Sequence, residues 1–187
     1  QFRSILDIMK NIKNFSLCRL EVDIVHPDTP TGRLGTKSFS PREQDARNNM
    51  RPSFSQIEKA MNKIVPNVNA NHSVSLRVPM EEPGYQITKT YFSGNIDNSF
   101  KKNMESKFKN FSKRNNYILD FNEMPLGSKA YKFKTSLSYM LPKPYLKLDI
   151  NCFNSNPGIH QIVTQAYVSN VYGYCYNVLR AIKFIIK

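Results

Sequence analysis

The sequence predicts an α+β fold, a single domain built on a mainly antiparallel sheet with two to four helices and a long loop or arm. Three observations lead there. Several stretches alternate apolar and polar residues with period two, as half-buried strands do. Others repeat apolar residues at i, i+3 and i+4, as amphipathic helices do. Finally, 187 residues that are 40% hydrophobic and 12% aromatic suffice for one core and are too apolar for a disordered chain.

Phe2, Ile5, Leu6, Met9 and Ile12 recur at helical spacing with Arg3, Lys10 and Lys13 outside them. They predict an amphipathic helix over 1–15 ahead of the main domain, 16–187. Such a helix packs on its own domain, docks on a neighbouring copy or lies on a membrane. Phe2, Ile5 and Met9 are its candidates for self-association. Gln1 stands where an initiator Met would, so further residues are expected before it.

Cys18, Leu20, Val22 and Ile24 alternate with Arg19, Glu21 and Asp23, which predicts a strand with the first set inward, ending at His26-Pro27. From 26 to 52 no period is sustained, and Pro27, Pro30, Pro41 and Pro52 interrupt the chain. A loop of this length is either a disordered insertion or an extended arm docking on another subunit. In the second case Pro27, Pro30, Arg33 and Leu34 are the candidate contacts.

A helix is expected from Ser53 or Ser55 to Val65. Ser55 to Glu58 fits a capping box, Phe54, Ile57, Met61 and Ile64 form an apolar face, and Pro66 closes it. Val74, Leu76 and Val78 alternate with Ser73, Ser75 and Arg77 in a second strand. Pro83-Gly84 suits a turn, and residues 85–92 make a third strand, expected to pair with the second as a hairpin. After Gly94-Asn95, one of Asp97, Asn98 or Ser99 caps the next helix.

That helix, 99–114, is the most distinctive stretch. Phe100, Met104, Phe108 and Phe111 share one face at about 100° per residue. Lys102, Lys109 and Lys113 fall on the opposite face, with Lys107 and Arg114 flanking the apolar stripe and Lys101 beside them. One acid, Glu105, stands against these six cations.

Tyr117, Leu119 and Phe121 then predict a short strand. Tyr131, Phe133, Thr135, Leu137, Tyr139 and Leu141 alternate with Lys132, Lys134, Ser136 and Ser138, which predicts the longest strand of the chain. Lys132 and Lys134 on its outer face would extend the cationic surface of the helix across the sheet. Leu146, Leu148, Ile150 and Cys152 predict another strand before a turn at 154–158. Residues 159–172 fit a helix by spacing and a strand by their β-branched and aromatic content, and 174–186 divide the same way. We read them as a strand and then a helix.

Charge is unevenly placed. Of the net +13, residues 99–147 hold +8, from 11 basic against 3 acidic side chains. A block of this kind points to a polyanionic partner, an anionic membrane surface or nucleic acid. Each cation near an anionic leaflet is worth about 1 kcal/mol, so the net +5 of residues 99–114 supplies at most ~5 kcal/mol, roughly a sub-millimolar affinity. One copy binds weakly, whereas an array gains avidity of about 10² to 10⁴, so membrane binding would require self-assembly. For nucleic acid, the aromatics Phe100, Phe108, Phe111, Tyr131, Phe133 and Tyr139 interleave with the lysines and offer base stacking.

Other classes find little support. Cys18, Cys152 and Cys175 are odd in number and never spaced as C-x-x-C, so neither a disulfide framework nor a structural zinc is expected, and a reducing intracellular compartment is. His26, His72 and His160 are isolated. No apolar run reaches the ~18 residues that span a bilayer, and no signal peptide is visible. Gly32 to Gly35 lacks the phosphate-loop pattern, and no H-E-x-x-H or G-x-S-x-G occurs. The expectation is a protein that is not an enzyme, with no cofactor and no metal.

The order of elements (the strand at 18–25, a long arm, the helix at 53–65, then strands around a basic helix, all without Trp) resembles the matrix proteins of rhabdoviruses and related negative-strand RNA viruses. The resemblance is one of layout and covers most of the chain. It implies a non-enzymatic virion protein that coats the inner membrane leaflet, binds the viral nucleocapsid, polymerises and supports budding. It further implies a location in the virion and host cytoplasm, peripheral at membranes and not secreted. Unlike many such proteins, the chain contains neither P-P-x-Y nor P-[TS]-A-P. The alternative is a capsid or RNA-sequestering protein using the same basic patch without membrane function.

Overall fold

The computed structural model describes residues 2–28, 48–54, 56–65, 68, 71–81, 83–169 and 171–185. Its α+β architecture is an eight-stranded, mostly antiparallel sheet with four α-helices. In chain order these are α1 (Phe2–Met9), β1 (Lys13–His26), β2 (Arg51–Pro52), α2 (Ile57–Ile64), β3 (Asn71–Arg77), β4 (Gly84–Asn95), α3 (Asn98–Arg114), β5 (Leu119–Phe121), β6 (Ser138–Met140), β7 (Lys147–Asp149), β8 (Ile159–Val168) and α4 (Tyr172–Ile185). The sheet runs β2-β3-β1-β4-β8-β6-β5, and β7 pairs with β8 beside β6. β1 with β3 and β5 with β6 are the parallel pairs.

The register assigns the faces. Phe92 of β4 lies on the same side as Ile162 and Ala166 of β8, while Tyr85 opposite Tyr167 faces the other way. On the first face the main core joins Ile5, Ile8, Met9 and Ile12 to Phe100, Met104, Phe108 and Phe111 and to Phe92, Leu119, Phe121, Met140, Ile162 and Ala166. α2 covers the same face further along, where Met61 and Ile57 meet Leu20, Val22 and Ile24. The second face carries a tyrosine cluster in which Tyr131, Tyr139 and Leu141 pack with Tyr85, Tyr145 and Tyr167. Burial pushes the Tyr85 hydroxyl up to about 12, with Tyr167 and Tyr145 adding to the shift, so this layer stays uncharged.

The strand 18–25, the helix 99–114, and the order of a strand then a helix after 159 agree with the sequence reading. Other expectations are corrected. Cys18 is exposed, not inward, because the β1–β4 register shifts between Leu17 and Arg19 and leaves Cys18 as the extra residue of a bulge. The expected hairpin of β3 with β4 does not form, since β1 lies between them, parallel to β3 and antiparallel to β4. Periodicity states which residues share a face and says nothing about which strand lies alongside. On β3 the apolar set is outward, with Val74 at 62% exposure, while Ser75 and Arg77 are buried and the Arg77 guanidinium donates to the Pro27 carbonyl at 2.6 Å.

The long strand over 131–141 is replaced by a 3-10 helix (Ser128–Tyr131), a turn with Phe133 at positive φ, and only three strand residues. Tyr131 stacks on Tyr167 at 4.7 Å, and the backbone N–H of Ser136 donates to the Tyr139 hydroxyl at 2.7 Å, so the segment folds back on the tyrosine cluster. Ser55, which opens the expected capping box of α2, lies outside the described residues. Gln56 occupies the cap position without a side-chain bond, and Glu58 accepts from the Ser73 N–H of β3 at 2.7 Å. Phe54, assigned to that helix's apolar face, lies outside the helix and is exposed. β7 is shorter than expected, because the chain turns at Asn151 in a left-handed conformation.

α1 stops at Met9, and Ile5 and Met9 have no exposed surface. These two candidates for self-association pack into the core of their own domain. Pro27 is also buried beneath Arg77. Pro30, Arg33 and Leu34 lie outside the described residues, as does the side chain of Phe2.

Phe108 is fully buried at the centre of the main core. The Phe108→Ala protein is expected to lose about 3–5 kcal/mol of unfolding free energy in urea titrations.

Candidate functional site

The site is built on α3. Asp97 caps it, accepting from the Phe100 N–H at 2.6 Å and from the Ser99 hydroxyl at 3.0 Å. These bonds, the Phe100 N–H first, hold the Asp97 carboxyl below its usual pKa. Asn115 closes the other end, its N–H bonding the Phe111 carbonyl. The apolar stripe is buried, and Ser112 joins it by accepting the Phe121 N–H at 3.1 Å. This anchoring turns the back of the helix to solvent.

The eight predicted cations divide by what they touch. Lys101, Lys102 and Lys113 are exposed and make no ion pair among the described residues. Lys109 is held between Glu123 at 3.1 Å and Glu105 at 3.8 Å. Arg114 approaches Asp7 of α1 at 3.9 Å and donates to the Asn110 carbonyl at 3.3 Å. Lys107 lies over the Phe100 ring at 5.3 Å. Lys132 pairs with Glu81, which holds that carboxyl below its usual pKa, and lies over the Phe133 ring at 5.1 Å.

Lys132 and Lys134 do not extend the α3 surface. They flank the segment that packs Tyr131 onto Tyr167, whereas α3 covers the opposite face of the sheet. The two basic groups are therefore on opposite sides. Of the six aromatics offered for base stacking, only Phe133 is exposed, at 60%; the other five are buried.

The free lysines are point charges on flexible stems, suited to attracting phosphates without fixing their geometry. His160 is a structural histidine: its Nδ1 accepts the Asn151 N–H at 3.2 Å, leaving Nε2–H to donate to the Gly94 carbonyl at 3.0 Å. Among the described residues, no group of His, Cys, Asp or Glu is placed to hold a metal ion, and no helix is long and apolar enough to cross a membrane. Cys18, Cys152 and Cys175 are free thiols. Neither a known family model nor any curated protein matches the chain.

The pairing of Lys109 and Lys132 with acids was invisible in the sequence, because Glu123 and Glu81 are brought in by the fold. The exposed apolar helix α4 was also missed as a surface, although the lack of any acid after Asp149 marks its neighbourhood.

Reversing Lys102 and Lys113 to Glu should weaken binding to anionic vesicles by roughly fivefold or more per residue, from about 1 kcal/mol each. Lys132→Glu should leave it within about twofold, since that ammonium is already neutralised. Vesicle sedimentation at several salt concentrations measures both. Because its folded pKa is depressed, the Asp97 cap stabilises above the unfolded value of about 3.9, and this is lost as pH falls through the lower folded value. The Asp97→Asn protein keeps a capping side chain and should show a flatter loss of stability between about pH 5 and pH 2, read by urea unfolding.

Proposed function

We propose that this protein is a matrix-type structural protein of a negative-strand RNA virus. It self-assembles and bridges the inner membrane leaflet to the ribonucleoprotein, supporting assembly and budding. The observation that carries this reading is the cationic surface of α3, where Lys102 and Lys113 on the back and Lys101 beside the stripe stand exposed and pair with no acid among the described residues. Such a surface attracts a polyanion weakly per copy and strongly per array, which suits a protein that works as a coat. The layout of its elements and the absence of enzyme motifs support the same class. In this reading the protein acts in the virion and host cytoplasm, peripheral at membranes.

A second reading, nucleic-acid binding without membrane function, is favoured by one feature. Phe133 is 60% exposed beside Lys134, a cation with no ion pair among the described residues, so the ring can meet an unpaired base, although Tyr172 and the Glu81-paired Lys132 already touch it. A bridging protein needs two separate surfaces, so the same feature also fits the ribonucleoprotein side of the first reading.

Co-flotation with phosphatidylserine-containing and pure phosphatidylcholine vesicles, with and without RNA competitor, tests the proposal. Flotation with the anionic vesicles only, lost when Lys102, Lys109 and Lys113 are changed to Glu, is the expected result. Retention in the soluble fraction with RNA, and no flotation, would transfer the function to nucleic acid. Binding to neither partner would overturn both.

A further inference from the structure

α4 is amphipathic but mounted with its polar edge inward. Gly173 is its one buried residue, and a Cβ there would collide with the Ser136 carbonyl oxygen. One turn on, Asn177 donates to the Tyr117 carbonyl at 3.0 Å and to the Gly173 carbonyl at 2.8 Å. After a further turn the Arg180 guanidinium lies 4.1 Å from the Tyr117 ring centroid. Gly173, Asn177 and Arg180 thus form the seam that holds the helix to the body.

Spacing at about 100° per residue places Val178, Ile182 and Ile185 together away from the seam, with Leu179 beside them, while Tyr174 borders a cleft with Leu137 and Val168 of the body. All five are exposed, Ile185 at 81% and Leu179 at 58%. A helix stabilised by its own domain would turn this stripe toward the core. Here the stripe is presented outward, and contiguous exposed apolar surface of this kind marks an interaction site.

We propose that α4 is an interfacial anchor: it lies in the plane of an anionic bilayer, its aliphatic stripe among the upper acyl chains and Lys183 at the lipid phosphates. This rests on the membrane reading above and assigns the apolar part of the contact to a different element from the basic helix. Charge selects this occupant. Outside the seam α4 carries Lys183 and no acid, and no acid follows Asp149 in the sequence. Against a second copy, one face of about four turns falls short of the roughly 800 Å² per partner that stable interfaces bury. Nucleic acid has no use for Val178, Leu179, Ile182 and Ile185, which offer no ring to stack on a base.

An anionic leaflet uses both properties, because apolar burial and attraction to lipid phosphates add. The tyrosines at 172, 174 and 176 are residues enriched at the headgroup level. The 14 described residues of the helix measure about 21 Å, and with the seam along one side of it the helix lies flat on the membrane surface in this arrangement. Tyr117, which receives the seam, follows the end of α3 by three residues, so α4 is mounted beside the basic terminus Lys113-Arg114.

The chain contains no Trp, which makes a single reporter clean. In the full chain, Ile182→Trp is compared with Val74→Trp, an exposed position on β3, and with the charge-reversed α3 protein and the Ile182→Ser/Ile185→Ser protein. Circular dichroism checks that each is folded. With phosphatidylserine-containing vesicles, the reporter at 182 should shift to the blue and be quenched by brominated acyl chains, while the one at 74 does neither. The double Ser variant should lose vesicle affinity by roughly tenfold or more per side chain. Flotation that survives reversal of Lys102, Lys109 and Lys113 but is lost in the double Ser variant would keep the anchor and remove the membrane role of α3. Flotation with no spectral change at 182 would overturn the anchor and leave that role standing. A blue shift without lipid that grows with protein concentration would identify a second copy as the occupant and overturn the proposal. Failure of every protein to float would overturn both readings.

Discussion

One-sided burial of α3 is the constraint on which the rest depends. Phe100, Met104, Phe108 and Phe111 leave water by packing against the sheet face that carries Phe92, Ile162 and Ala166, with α1 closing the same core. Once that stripe is fixed, 3.6 residues per turn determine the direction of every other side chain on the helix. Lys102 and Lys113 are held outward by the hydrophobic side of their own helix. The cationic surface is thus as rigidly placed as the core beneath it, although each ammonium swings freely at the end of its stem.

Where local pattern and global fold agree, the sequence was a sufficient guide. The stripe of α3, a cap within Asp97 to Ser99 and the alternation at Leu20 and Val22 follow from side-chain period and cap chemistry, whereas the final strand follows from β-branched and aromatic content against its helical spacing. The failures have particular causes. A bulge moves Cys18 to solvent by adding one residue, which no two-residue period encodes. The outward Val74 and buried Arg77 depend on a carbonyl supplied by Pro27, fifty positions earlier in the chain. The 131–141 segment alternates in sequence but not in burial, because Tyr131 is buried by folding back onto Tyr167 and not by extending along the sheet.

The candidate site was legible to the same extent. Its location could be read from charge density, but its active members could not, because an ammonium such as that of Lys109 is neutralised by carboxylates that only the fold brings near. The sheet also separates what the sequence joined. Helices α1, α2 and α3 lie on one face and the tyrosine cluster on the other, so the lysines of α3 and those around Phe133 address different surroundings. Two separate basic surfaces allow one molecule to touch two partners, which a single continuous patch would not.

The position of β1 has a consequence for how the chain folds. Its partners lie far along the sequence: Leu20 pairs with Asn71 and with Thr90, and β4 in turn pairs from Gly84 with Val168. Few of these contacts are local, so loop-closure entropy is paid early and folding is slow for the chain's size. During synthesis β4 emerges well before β8, its final neighbour, and presents an unpaired edge for that interval. Newly made copies crowded together therefore have an opportunity to pair strands wrongly, and the yield of native protein will depend on how sparsely they are produced.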